Sequence, residues 1–277
     1  MEDADRPEEP SPAAPVGSEG RIPHPAFYSS CRALTQVMFR VLCRLEIHGA
    51  ENVPHTGPFI LASNHQSYLD PPLLAMTTRR PLSFVSAAEL FRIPVLRGIV
   101  RRLNAFPVKR TGEDRTALRH GLSVLRDGRG LVMFPEGKRS PDGRLLQPKL
   151  GIALLALRSR APIIPVGIEG ANRVHPVQKL EFDGVLLQAA RRQWPVPTRI
   201  RLRVGEPLLF DDLYGKRPTD TQDLQHVVRT LMEAISALTG RPFHWDPEEK
   251  WWHPYRDHPD FRLTFEGPRA DEAEPPL

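Results

Sequence analysis

No apolar run in this 277-residue chain approaches the roughly 18 residues that a membrane-crossing helix needs. Cysteine is scarce, with only Cys31 and Cys43 present. On one helix they stand about 18 Å apart along its axis, too far for a disulfide. Two unbridged thiols fit a reducing compartment. There is no H-E-x-x-H run or cysteine cluster to hold zinc. The phosphate loop G-x-x-x-x-G-K-S/T and the dinucleotide turn G-x-G-x-x-G are both missing. So is the nucleophile elbow G-x-S-x-G, and no cysteine lies near His65. These absences argue against a nucleotide enzyme and against a hydrolase working through a covalent acyl-enzyme. No cofactor is expected. The basic stretches hold few aromatics, which argues against single-stranded nucleic acid as a partner, because such sites use stacking platforms. The N-terminus is acidic and proline-rich, unlike a signal peptide. The expectation is a protein on the cytoplasmic face of a membrane, touching it peripherally without crossing it.

What is present is unevenly placed. Residues 1–20 carry −5 and residues 241–277 carry −4, which leaves +14 on the body out of an overall +5. A body that basic suits phosphorylated substrates, anionic lipid or nucleic acid. The 30 prolines are roughly twice the usual share, and six fall in the first 25 residues. Residues 1–24, acidic and poor in apolar side chains, are expected to be disordered.

From Phe27 the pattern becomes helical. Phe27, Cys31, Leu34, Met38, Leu42 and Leu45 share one face, with Arg32, Gln36, Arg40 and Arg44 beside it. Such an amphipathic helix serves either a membrane interface or packing against the body. Strands are expected at 45–48, 59–62, 82–87, 105–109, 131–134, 163–168 and 200–204, with Pro107 marking an edge strand. Helices are expected at 71–78, in part of 88–103, and at 114–126, 150–158 and 221–238. Thr219 and Gln222 have capping-box spacing for the last of these. This alternation predicts a single α/β domain over residues 25–240, a mixed, mostly parallel sheet covered by helices. An aromatic and acidic extension, 241–277, either wraps the domain or meets lipid.

Chemistry concentrates at the ends of two buried strands. Phe59 to Ala62 runs into Ser63-Asn64-His65, where polar side chains can enter a cleft, and Asp70 follows before two prolines. A histidine with a nearby aspartate is the core of a general base. Asp70 before Pro71 also reads as a helix N-cap, with His65 an ordinary loop residue. A second stretch, Phe134-Pro135-Glu136-Gly137-Lys138-Arg139-Ser140, leaves a buried strand with a glycine turn and two cations suited to phosphate. Phe106 to Arg110 is a third, and Pro148-Lys149-Leu150-Gly151, at a helix start, a fourth place to meet an anion.

These motifs, in this order, resemble those of the glycerolipid acyltransferases, with the bacterial-type 1-acyl-sn-glycerol-3-phosphate enzymes as the resembling branch. Asn64 to Asp70 is similar to their N-H-x4-D motif, and Phe134 to Ser140 to F-P-E-G-x-R-S. Phe106 to Arg110 falls at the motif ending in arginine, and Ala161 to Val166 at the apolar fourth block. The resemblance covers roughly residues 40–205. It departs at Lys138, where threonine is common, at Asn104, where glycine is usual, at Lys109, and at Ala87. It implies acyl transfer from coenzyme A or acyl carrier protein to the hydroxyl of lysophosphatidic acid, giving phosphatidic acid. It implies His65 as base and Asp70 as its partner. Arg110, Glu136 and Arg139 would hold the acceptor's phosphate, Gly137 would shape the turn, and Pro165 would support the acyl site. Lys149 is added to the binding set from its place at the helix start. The other readings open to the sequence are a different lipid acceptor and a non-catalytic module for anionic lipid.

Overall fold

The computed structural model describes residues 25–87, 97, 104–108, 115–140, 142–174, 177–182, 185–190, 199–214 and 221–246. The expectations for residues 1–24, most of 88–103, Lys109, Thr219 and the tail beyond 246 lie outside them. The strands in chain order are β1 (Arg44–His48), β2 (Phe59–Ser63), β3 (Leu82–Ala87), β4 (Ala105–Val108), β5 (Gly130–Met133), β6 (Ile163–Glu169), β7 (Val177–Phe182), β8 (Val185–Ala190) and β9 (Arg199–Val204). The helices are α1 (Pro25–Leu42), α2 (Asp70–Leu74), α3 (Arg115–Arg126), α4 (Gly151–Ser159), α5 (Ala171–Val174) and α6 (Thr221–Thr239).

Seven strands form one sheet in the order β1-β9-β6-β2-β5-β3-β4. Every pairing is parallel except β6 with β9. This is the expected mixed, mostly parallel α/β sheet. β2 lies at its centre and is buried along its whole length. Successive side chains of a strand point to opposite faces. Ile60 and Ala62 accordingly join a core with α3, α4 and α6 residues such as Leu125, Ile152 and Leu231. Phe59 and Leu61 join the other core, with Phe39 and Cys43 at the end of α1 and Leu73 and Leu74 of α2. β4 with Pro107 takes the outer edge, where a missing N–H costs no ladder bond. Asn104, just before β4, has φ 60°, which explains the preference for glycine there, since asparagine is among the few other residues at ease in that region.

Three expectations change. α2 stops at Leu74 instead of near Thr78. The Thr77 N–H and hydroxyl both donate to the Leu74 carbonyl, at 3.1 and 2.8 Å, which tightens and ends the turn. α1 packs through Tyr28 and Phe39, while Leu34, expected on its apolar stripe, is 71% exposed. Tyr28 Oη accepts the Leu82 N–H at 3.3 Å, tying the helix to β3. The β7–β8 hairpin was not foreseen, although Asp183-Gly184 between two β-prone runs is a strong hairpin signal.

Candidate active site

β2, β5 and β6 are parallel neighbours, so the segments that follow them leave the sheet at the same end. The first is held rigidly. Asn64, 1% exposed, donates from Nδ2 to the Ile168 carbonyl at 2.9 Å and accepts the Ile168 N–H on Oδ1 at 2.8 Å. Ser63 is buried as well and donates to the Asn64 carbonyl. Neither side chain enters a cleft, contrary to expectation. They clamp the strand end so that the next residue, His65, is the one presented.

His65 Nδ1 lies 2.8 Å from Asp70 Oδ2. Asp70 is fully buried, and the same oxygen accepts the Gln66 N–H at 2.6 Å and the Ser67 N–H at 2.7 Å. Two backbone N–H groups already point at this oxygen, which marks it as an acceptor for the ring nitrogen as well. Nδ1 therefore carries the proton, and Nε2 is left as the basic nitrogen. The N-cap reading of Asp70 fails on geometry. Leu69 occupies the cap position, Asp70 is the first helical residue, and its carboxylate reaches back into the preceding loop. Phe134 stacks on the imidazole with ring centres 3.9 Å apart and planes 16° apart, fixing the ring from its other side.

The Phe134–Ser140 loop closes over this pair. The His65 N–H donates to Glu136 Oε1 at 3.1 Å, and the Leu146 N–H to Glu136 Oε2 at 3.2 Å. The Ser140 N–H donates to the His65 carbonyl at 2.7 Å. Glu136 is fully buried. Its carboxyl was expected at the acceptor's phosphate; it is instead an internal brace between the histidine segment and the loop after 140. Burial pushes its pKa up to about 8, against the lowering effect of its two backbone N–H donors, with nearby Asp70 raising it further. Burial likewise brings Lys138 down to about 8, partly opposed by attraction to Glu136 and helped by repulsion from Lys149.

Gly137 turns the loop with φ 69°, a left-handed conformation natural to glycine. A Cβ there would also lie 2.9 Å from Lys149 Cε, so Lys149 folds over the turn. The Lys149 N–H donates to the Pro135 carbonyl at 2.9 Å. The Arg139 guanidinium lies 3.5 Å above the centre of the Tyr68 ring, well inside the roughly 6 Å of a cation–π contact. His65, Asp70, Glu136, Gly137, Arg139 and Lys149 are thus gathered by two loops. Arg110 lies outside the described residues. Pro165 sits inside the sheet, paired in register with Ala62. Phe134 and Tyr68 escaped sequence reasoning as partners of His65 and Arg139; their only signal is an aromatic placed within a polar loop motif.

The family model described as Acyltransferase matches residues 44–169. A chloroplastic 1-acyl-sn-glycerol-3-phosphate acyltransferase of Brassica napus is 31% identical over 48% of this chain, a match that spans only 39% of the plant protein's length. The 1-acyl-sn-glycerol-3-phosphate acyltransferase of Streptococcus pneumoniae is 23% identical over 82% of this chain and 80% of its own. The crystal structure of the 1-acyl-sn-glycerophosphate acyltransferase PlsC from Thermotoga maritima superposes with a TM-score of 0.56 at 25% identity, covering 77% of this chain and 81% of that one. The match to the acyltransferase family model spans residues 44–169, a little under half of the chain, and the ordered motifs within it lie on the same α/β scaffold as that crystal structure.

Proposed function

We propose that this protein transfers an acyl group from a thioester donor, coenzyme A or acyl carrier protein, to the free hydroxyl of lysophosphatidic acid. The observation that carries the reading is the 2.8 Å His65–Asp70 contact beside a loop bearing Arg139 and Lys149. Nε2 of His65 takes the hydroxyl proton as the oxygen attacks the thioester carbonyl. The C–S bond then breaks, and the imidazolium returns its proton to the departing thiolate. Asp70 steadies the imidazolium between these steps. The reaction consumes no cofactor. Arg139, flattened on Tyr68, offers a planar fork to the acceptor's phosphate.

The test is steady-state kinetics with lysophosphatidic acid and with uncharged monoacylglycerol. Hydrogen bonds to charged groups contribute roughly 1.5–3 kcal/mol each. Arg139→Lys keeps the charge but loses the fork, so acceptor KM for lysophosphatidic acid should rise about tenfold or more. The uncharged acceptor should be little affected. Equal loss on both acceptors would give Arg139 a purely structural role in its loop. Wild-type protein inactive on every lysolipid with either donor would sink the proposal.

Peripheral membrane contact belongs to the same reading. Among the described residues no helix is long and apolar enough to cross a membrane. α1 nevertheless presents Leu34 and Val37, 71% and 61% exposed, on a helix flanked by arginines. Leu34→Glu with Val37→Glu should reduce sedimentation with anionic vesicles several-fold. Unchanged sedimentation would remove α1 as the contact.

A further inference from the structure

The sheet carries a second basic hollow, separate from the His65 loop. Glu169, Gly170, Arg173, Arg199, Arg201 and Arg241 line a cavity of about 420 Å³. Its floor follows from the pattern of β9. Arg199, Arg201 and Arg203 alternate there with the buried Ile200, Leu202 and Val204. The apolar set packs in the core that contains Phe39 of α1, so the arginines lie on the opposite face of the sheet.

The charges in the hollow do not cancel. Glu46 meets Nε of Arg199 at 3.1 Å and Nε of Arg201 at 3.2 Å, and Glu169 meets Nη1 of Arg203 at 3.1 Å. The lining holds four arginines against Glu169, an excess of three positive charges, and Arg203 and Glu46 beside it add one charge of each sign. Among the described residues the exposed Arg173 has no carboxylate partner, and Arg199 uses only Nε in its ion pair. Guanidinium forks with spare N–H groups around a concavity fit phosphate oxygens two at a time. A hollow of this size is on the scale of a small-ligand site. An acidic protein surface would need a far broader face.

We propose that this hollow binds the phosphoryl groups of a water-soluble ligand. Resting on the acyl-transfer reading above, the ligand is the nucleotide end of a coenzyme A thioester. Two features place it for that role. The hollow opens at the strand end that presents His65, since Val166 of β6 is level with Ser63 of β2 and Glu169 lies three residues further on. Arg241 and Gln66, the latter next to His65, both donate to the Gly143 carbonyl. β9 stands two strands from β2, roughly 10 Å across the sheet. A flexible pantetheine arm covers that separation with its thioester at His65. A lipid headgroup is disfavoured because the exposed apolar residues of α1 belong to the opposite layer.

Titration calorimetry with coenzyme A, and with pantetheine as the probe lacking the nucleotide, tests this. Wild type should bind coenzyme A and not pantetheine. Arg173→Glu with Arg199→Glu should weaken coenzyme A binding at least about tenfold, and the paired lysine substitutions should retain most of it. If the reversed pair melts early, exposed Arg173→Glu alone should show the loss. Equal affinity in wild type and reversed variants overturns the proposal. So does loss of binding to phosphatidylglycerol vesicles with coenzyme A binding intact, which assigns the hollow to a headgroup. Coenzyme A binding through these arginines without acyl transfer leaves the phosphoryl site standing and removes the reaction. Acyl transfer from acyl-coenzyme A with no dependence on these arginines removes the hollow alone.

Discussion

His65→Ala is expected to lower acyl transfer by about 10³-fold or more while the melting temperature stays near wild type. The fold survives because the links through His65 to the neighbouring loop run through its backbone. Its N–H meets Glu136, and its carbonyl accepts from Ser140. Alanine keeps both. Asp70 loses its imidazole partner but retains the N–H groups of Gln66 and Ser67, so no buried carboxylate is stranded. The stack on Phe134 is lost, worth about 1 kcal/mol for an aromatic pair. Chemistry has no such reserve, since the basic Nε2 is removed outright. Purified His65→Ala with near wild-type turnover and a normal melting curve would rule out the base assigned here.

Asp70→Asn separates charge from packing. The substitution keeps size and burial, and one asparagine oxygen can still meet the N–H groups of Gln66 and Ser67 together with Nδ1, since all three meet a single oxygen of Asp70. What it removes is the negative charge that steadies the imidazolium once Nε2 has taken its proton. In serine proteases the equivalent exchange costs about 10⁴ in turnover, and a loss approaching that size is expected. If Asp70 served only the start of α2, asparagine would serve as well and turnover would hardly change. A melting temperature within a few degrees of wild type, together with a full loss of turnover, is the pattern that supports the pair.

The sequence made these residues visible for local reasons. His65 and Asp70 stand five apart in one loop, and Gly137 marks a turn that requires positive φ. Buried strands such as Phe59–Ser63 and Ile163–Glu169 show as short apolar runs between turns, and their observed limits differ from expectation by a residue. What was hidden is tertiary. Glu136 reads as a surface charge beside Lys138 and Arg139, and only the fold buries it against the His65 N–H. Asn64 reads as a polar residue at a cleft, and only the β2–β6 pairing turns it into a clamp. α1 has an apolar stripe, yet which side packs depends on where Tyr28 and Phe39 meet the sheet. The arginines of β9 are an ordinary alternating strand until Arg173 and Arg241 are folded next to them.

The clamp on Asn64 bears on the order in which the molecule forms. Asn64 and Ile168 are 104 residues apart, and His65 and Glu136 are 71 apart. Contacts that close such long loops form late, because their entropy must be met before they return any stabilisation. During synthesis β2 and the His65 loop leave the ribosome well before β6. Until β6 docks, the Asn64 amide has no strand to grip, and nothing holds the histidine at the sheet end. The reactive geometry is therefore one of the last parts of the domain to exist, and a chain stopped short of residue 168 carries every residue of the His65–Asp70 pair without its alignment.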